Sequence, residues 1–388
     1  MKRDYEYIVL GLGGWGSAAA YWLSRRAGAE VLGLEQFEIA HVRGESQDHS
    51  RIIRLSYHTP DYVELARHAY RAWHEVERDA GEPLVLKTGG LDFAKRDSAI
   101  PLVNYSGSMD AAGVPYEHLD ASEIRRRWPQ LTVTEDIHGL YQPESGIAMA
   151  ARGNAAHVRM ARAHGATLRD QAPVERLRPA GGEVEVTAGG VTYRCRRLVI
   201  AAGAWSNDAL THFGLHLPLR VTKEQVTYFA TPHQPEFQPD RFPIWIWMDD
   251  PCFYGFPAFG EAGPKVGQDA GGQETTAESR NFEPDQAALA RVVKFLETYI
   301  PKALGPIIYT KTCLYTLTPD RDFVLDTLPD HPNVAVGIGG GHGYKFASLI
   351  GRILSDLAID GRTERNIEPF RIDREILQLA NPSANYLV

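Results

Sequence analysis

Tyr5-Glu-Tyr-Ile-Val-Leu10-Gly11-Leu-Gly13-Gly14-Trp15-Gly16-Ser17-Ala-Ala-Ala-Tyr-Trp-Leu-Ser-Arg-Arg26 is the stretch on which the fold turns. Tyr5 to Leu10 reads as a short buried strand, Gly11 to Gly16 as a tight turn, and Ser17 to Arg26 as a helix. Glu30 to Leu34 follows as a second strand and closes a βαβ unit, with Glu35 at its end. A Gly-x-Gly-x-x-Gly run alone is a weak signal. Between a strand and a helix, with an acid at the tip of the next strand, it is a dinucleotide-binding fingerprint. The glycines permit the tight turn and the close approach of backbone to a pyrophosphate, and the helix N-terminus offers free N–H groups and positive dipole to the phosphates. Glu35 would accept hydrogen bonds from a ribose hydroxyl pair, which disfavours a 2′-phosphate and so NADP. The bland alternative is a glycine turn that serves packing alone.

Outward from this unit the chain has ordinary globular chemistry. Its 388 residues are 44% hydrophobic and 23% charged, long enough for two cores. A net charge of -8 makes nucleic acid and anionic membranes poor partners. The N-terminus lacks the apolar run and cleavage site of a signal peptide, and no run of eighteen apolar residues occurs, so a soluble, cytoplasmic protein without a membrane span is expected. Cys195, Cys252 and Cys313 are too scattered for a disulfide framework or a zinc site. Each reads as a lone thiol, by default a small buried hydrophobe. No metal site is expected.

Further along, Asp61 to Ala80 has helical periodicity, and strand-like residues follow around Leu84 to Phe93. Gly153 to His164 reads as a helix and Ala166 to Leu168 as a strand. Val174 to Leu177, Val184 to Thr187 and Val191 to Arg194 suggest an antiparallel meander, with Arg197 to Ala201 as a separate buried strand. Pro218 to Phe259 is rich in aromatic and β-branched residues and reads as the wall of a pocket. Glu283 to Tyr299 and Phe346 to Ile359 read as helices, the second preceded by a strand from Val334 to Ile338.

FAD and NAD share the N-terminal fingerprint, and two other features favour FAD. Leu198-Val-Ile-Ala-Ala-Gly203-Ala-Trp205 is a strand ending in a small-residue turn, of the kind that lets backbone lie against a dinucleotide. Gly337-Ile-Gly-Gly340-Gly341-His342-Gly343-Tyr-Lys345-Phe is a second glycine-rich lead into a helix. A helix N-terminus aimed at the pyrimidine end of a flavin would stabilise the negative charge that develops there on reduction.

With these residues in hand, the chain resembles the monomeric sarcosine oxidase and N-methyltryptophan oxidase family, within the wider D-amino-acid and glycine oxidase flavoproteins. The likeness spans nearly the whole length. It rests on the fingerprint, Ser50-Arg51-Ile-Ile-Arg54, Lys87-Thr-Gly-Gly90, Phe253-Tyr254-Gly-Phe-Pro257, Lys265, Cys313-Leu-Tyr315-Thr, Asp322-Phe-Val-Leu-Asp326 and Gly341-His-Gly-Tyr-Lys345-Phe. The fold this implies is α/β with an α+β second domain. A Rossmann-type FAD-binding domain from residues 1–86, 147–217 and 312–388 would sit beside a β-rich, antiparallel substrate domain from 87–146 and 218–311.

The resemblance also implies roles. Cys313 would carry the flavin through an 8α-S-thioether, while Cys195 and Cys252 remain ordinary. Arg51 would lie over the flavin face, and Arg54 with Lys345 would clamp a substrate carboxylate, a task suited to a planar guanidinium. Lys265 would stand near flavin N5 and promote reaction with oxygen. Tyr254 and Tyr315 would wall the substrate side. Further cofactor contacts are expected from Gly11, Gly13, Gly14, Trp15, Gly16, Glu35, Ser50, Val174, Gly203, Trp205, Gly340, Gly341, His342 and Gly343. The chain departs from the family at two positions: Asp269 stands where sarcosine oxidases have histidine, and Gln47 where a histidine is common. An acid in the pocket would engage a cationic or polar substrate group, which argues against sarcosine itself as the best substrate.

The reading that follows is a monomeric FAD-dependent oxidase of secondary or N-methyl amino acids, using O2 and releasing H2O2. The rivals are a fructosyl-amino-acid oxidase on the same scaffold, an NAD-dependent dehydrogenase, and a non-catalytic flavin or dinucleotide sensor.

Overall fold

The computed structural model describes residues 2–380 and 382. Strand β1 (Asp4–Leu10), helix α1 (Gly14–Ala27) and strand β2 (Val31–Leu34) form the expected βαβ unit, with β1 and β2 parallel. Ala18, Ala19 and Ala20 of α1 are wholly buried, and the helix Ala347–Asp360 packs directly on them. A methyl added at Gly351 would stand 2.4 Å from the Ala18 Cβ, so small residues on both helices allow this approach.

The sheet around this unit runs in the order Thr167–Arg169, β2, β1, Val191–Ile200 and His331–Ile338, all parallel, with Val324–Leu328 antiparallel at the edge. Val191 to Ile200 is one strand of 10 residues rather than two. Its first half pairs with Glu183–Ala188 of the meander and its second half with His331–Ile338, while β1 runs along the other side. The alternating pattern therefore becomes continuously apolar at Leu198, where both faces are covered.

A second sheet has nine strands, antiparallel except where Ile244–Trp247 lies parallel to Gly90–Lys95. Its longest pair, Arg220–Phe229 with Ile307–Leu317, lies at one edge, and Lys265–Gln268 and Phe253–Phe256 continue the sheet on the other side of Arg220–Phe229. The strand-like residues after Leu84 divide at Gly89, whose φ of +71° breaks the run into Val85–Lys87 and Gly90–Lys95. Val85–Lys87 joins Arg51–Ile53 and Gly146–Ala148 in a small third sheet. The helix expected from Glu283 begins at Gln286 instead. The Asp285 carboxylate accepts from the N–H groups of Ala287 and Ala288 and caps it there. Among the described residues no helix is long and apolar enough to cross a membrane.

Candidate active site

The glycine turn after β1 is shaped by contacts that allow no side chain. Gly11 has a φ of +84°, and a Cβ there would meet Ala201 O at 2.5 Å; a Cβ on Gly16 would lie 1.8 Å from Gly11 O. Gly13 is different, because an added methyl would meet only Ser46 Oγ, at 3.5 Å. The protein itself leaves that space unfilled, directly at the N-terminus of α1, where Gly13 supplies no side-chain cap. Ser46 Oγ accepts from Gly14 N at 2.9 Å and borders the same space.

Glu35 reaches back into the turn. Its carboxylate accepts from Leu12 N at 2.9 Å and Phe37 N at 3.2 Å, and His41 Nε2 lies 3.3 Å away. Burial works against its charge, but the His41 and Leu12 hydrogen bonds outweigh burial and hold the carboxyl below its usual range.

One cavity of ≈ 310 Å³ joins this cradle to a cluster of charged side chains. Gly11, Gly13, Gly14, Trp15 and Glu35 line it, as do Val174, Gly203 and Trp205. So do Arg51, Arg54, Tyr254, Asp269, Tyr315, Gly341, His342, Gly343 and Lys345. Gly16, Ser50 and Gly340 do not line it. Gly340 serves close packing instead, since a Cβ there would stand 2.0 Å from Arg321 O. The C-terminal glycine run is tied to the N-terminal turn through Trp15, whose Nε1 donates to Gly343 O at 3.0 Å. Gly341, at φ +84°, leaves room for the Tyr315 ring.

At the charged end, Arg54 is 4% exposed and its Nη1 lies 3.5 Å from the buried Asp92, which also accepts from Ser56 Oγ. Lys345 Nζ donates to His342 O at 3.1 Å. Burial and the neighbouring Arg54 push the Lys345 ammonium well below the ordinary lysine range. Asp269 lines the cavity, but Arg321 takes both its oxygens, at 2.8 and 3.3 Å. The acid thus faces the cavity while already paired with a cation of the protein. Arg51 donates to Ser50 O at 2.9 Å and Glu45 O at 2.8 Å.

Lys265 and Cys313 are not on the main cavity. They border an adjoining recess of ≈ 20 Å³, which shares Arg51, Tyr254 and Tyr315 with it. Gln47, at the other family departure, donates to Thr312 O at 2.6 Å and so fixes the backbone next to Cys313. Burial pushes the Cys313 thiol up to about 12, with Arg51 as the chief opposing influence. Sequence reasoning missed Asp48, Asp92 and Arg321. Each is a charge whose partner is brought to it only by the fold, so no local pattern marks it.

An open space over an uncapped helix N-terminus, an acid at the second strand tip and a glycine-rich wall fit a dinucleotide with a flavin at the charged end. Residues 6–357 match the DAO family of FAD-dependent oxidoreductases. The chain belongs to this family. Among FAD-dependent oxidoreductases it is similar to the monomeric sarcosine oxidase of Streptomyces avermitilis, at 37% identity over 95% of this chain and 97% of that one. It is also similar to the monomeric sarcosine oxidase of Arthrobacter sp. (strain TE1826), 34% identical over 97% and 98% of the two chains. The N-methyl-L-tryptophan oxidase of Escherichia coli O139:H28 is 29% identical over 95% and 99%. Among solved structures, NikD, an unusual amino acid oxidase essential for nikkomycin biosynthesis, superposes with a TM-score of 0.86 at 28% identity, over 98% of this chain and 100% of that one.

Proposed function

We propose that this FAD-dependent oxidoreductase oxidises the C–N bond of secondary or N-methyl α-amino acids, as an oxidase acting on CH–NH donors. Amine and O2 become imine and H2O2, and water then hydrolyses the imine. The observation that carries this reading is the convergence of Arg54 and Lys345 on the cavity that also contains the dinucleotide cradle. Lys345 is a buried cation beside another cation, a costly arrangement that a bound carboxylate relieves. Similarity to the sarcosine and N-methyltryptophan oxidases supports the amine class.

When bound, FAD supplies a two-electron acceptor; the remaining work falls to the protein. Arg54 and Lys345 would hold the substrate carboxylate and so fix where its α-carbon stands. Tyr254 and Tyr315, whose phenols burial raises above their usual range, stay protonated and can donate to substrate. The apolar walls of the cavity, among them Ile246, Met248 and Phe256, exclude water and favour the neutral amine that must react. Cys313, in the recess shared with Arg51, would attach the flavin through its Sγ, and the guanidinium would stabilise the thiolate this requires.

An anaerobic panel of N-methyl, N-alkyl and cyclic amino acids tests the substrate class by bleaching of the flavin absorbance. Failure of every member to bleach it would overturn the class. For the attachment, yellow colour is expected to stay with acid-precipitated protein and to wash out of Cys313→Ser.

A further inference from the structure

A run of polar side chains, joined by hydrogen bonds and by one contact between two phenol rings, leads from Lys265 to the surface. Lys265 Nζ donates to Asp48 Oδ2 at 3.0 Å and to Ser50 O at 2.7 Å, and both side chains of the ion pair are 2% exposed. Asp48 also accepts from the hydroxyl of the fully buried Tyr228, at 2.9 and 3.0 Å to its two oxygens. The Tyr228 ring lies 4.9 Å from that of Tyr309, which sets the two phenols side by side. Tyr309 donates to Glu261 Oε1 at 3.1 Å, and the same oxygen meets His49 Nε2 at 3.0 Å. There the run reaches solvent, with the His49 and Glu261 side chains 37% and 27% exposed.

Charge balance alone does not account for this arrangement. Asp48 by itself neutralises Lys265, and two apolar rings could fill the space of the tyrosines without burying hydroxyls. A tyrosine hydroxyl, however, can accept one proton while giving up another, and a carboxylate and an imidazole can do the same. The inner end opens on the ≈ 20 Å³ recess lined by Lys265, Arg51, Cys313 and Tyr315, and a volume of roughly 10–15 Å³ already admits a water-sized molecule. Burial draws Lys265 down to about 8, with Asp48 pulling the other way, so its proton exchanges near neutral pH. The other charges facing the inner pair are Arg51, 3.9 Å from Asp48, and Lys311, 3.8 Å from it.

We propose that Lys265, Asp48, Tyr228, Tyr309, Glu261 and His49 form a proton relay that serves the oxygen-reducing side of the site. This rests on the oxidase reading above. The substrate C–H bond yields two electrons and one proton, and O2 needs both of these and one further proton to become H2O2. Lys265 gives that proton and recovers one through Asp48. In turn Tyr228 passes its hydroxyl proton to Asp48, Tyr309 to Tyr228, Glu261 to Tyr309, and His49 to Glu261. Each O–H or N–H bond broken is matched by one formed, and the substrate ammonium releases the compensating proton to solvent. For its step Tyr309 must turn its hydroxyl from Glu261 toward Tyr228, the ring it packs against.

The test uses the flavin-loaded enzyme with Tyr228→Phe, Tyr309→Phe, Glu261→Gln and His49→Gln. Anaerobic bleaching by substrate is expected to keep its rate. Reoxidation by O2 is expected to slow by about 10-fold or more, to acquire a solvent isotope effect, and to recover with imidazole in the His49 variant. A second readout needs neither substrate nor oxygen: infrared difference spectra on electrochemical reduction should contain a Glu261 carboxyl response that disappears in Tyr228→Phe. Native reoxidation rates in the Glu261 and His49 variants, which keep the core intact if the tyrosine variants fail to fold, would overturn the relay. Slowing confined to Lys311→Met would also overturn it, by placing the proton's route elsewhere. If the native enzyme makes no H2O2 with any bleaching substrate, the oxidase reading fails, while the infrared response still decides whether the run conducts protons.

Discussion

Asp269, on the wall of the cavity, forms a two-pronged ion pair with Arg321 behind it, although the two lie 52 residues apart. The Arg321 carbonyl also accepts from His342 Nε2 at 3.1 Å, which assigns that nitrogen the proton and ties the C-terminal glycine run to the same arginine. Arg54 is paired with Asp92 and Arg321 with Asp269, whereas Lys345 Nζ donates to a backbone carbonyl, that of His342.

Removing Asp269 strands the buried Arg321 guanidinium, and removing Arg321 leaves the half-buried Asp269 carboxylate unpaired on the cavity wall. Arg321→Met and Asp269→Asn are each expected to destabilise the protein by about 3–5 kcal/mol in urea unfolding. The double variant should recover most of that loss, because no charge is then left unmatched. A cost below about 1 kcal/mol for Arg321→Met would show that water screens the pair. Asp269 would then be accessible to a cationic group of the substrate after all.

Two glycines of the N-terminal turn should respond differently to the same methyl group. Gly16→Ala forces a contact with Gly11 O and is expected to prevent correct folding of the βαβ unit. Gly13→Ala meets only Ser46 Oγ at 3.5 Å, so the protein should fold with its stability changed by less than about 1 kcal/mol. Its flavin content, read from visible absorbance, should nevertheless fall sharply, because the methyl enters the space over the helix N-terminus. Full flavin content in Gly13→Ala would mean that the phosphates lie elsewhere.

These contrasts mark how far the sequence could be read. The βαβ unit was legible because its determinants are local: apolar periodicity, a glycine turn and an acid at a strand tip. The strand Val191–Ile200 looks like two in sequence because its pattern changes at Leu198, where its neighbours in the sheet change, and that is a property of the assembled sheet. At the site, the motif residues Arg51, Arg54 and Lys345 stood out. Their environment did not, since Asp92 is 38 residues from Arg54, and Tyr228 is 180 from Asp48. Which charges cancel is decided by pairings across such separations, as Arg321, 52 residues from Asp269, shows.

Glu45 offers a pH dependence of known sign. It lies on the cavity wall with Gly13 and Gly203, and burial raises its carboxyl to about 7, with the Thr316 hydroxyl opposing the rise. As pH rises through that value, deprotonation would put a negative charge on the cavity wall that Gly13 also lines, where a dinucleotide phosphate would be repelled. In Cys313→Ala, where flavin can bind only reversibly, the FAD dissociation constant is therefore expected to rise as pH passes from 6 to 8. Glu45→Gln should flatten that rise. A native slope surviving in Glu45→Gln would assign the titration to another group.

Lys345 should show a trade between stability and binding. Burial and Arg54 depress its ammonium, so folding in the absence of an anion requires either a buried uncompensated charge or loss of a proton. That penalty is present in full below the depressed folded value and vanishes as pH rises to the unfolded value near 10.4. Lys345→Met removes it and is expected to raise the substrate-free unfolding temperature at pH 7, by an amount that shrinks toward pH 10. The same change removes a charged hydrogen bond of about 1.5–3 kcal/mol to the substrate carboxylate, so KM should increase by about 10- to 150-fold. The effect on kcat should be smaller, because the contact is made before the chemical step as well as during it. A variant that loses stability while keeping its KM would place the carboxylate away from Lys345, and Arg54 alone would then be the clamp.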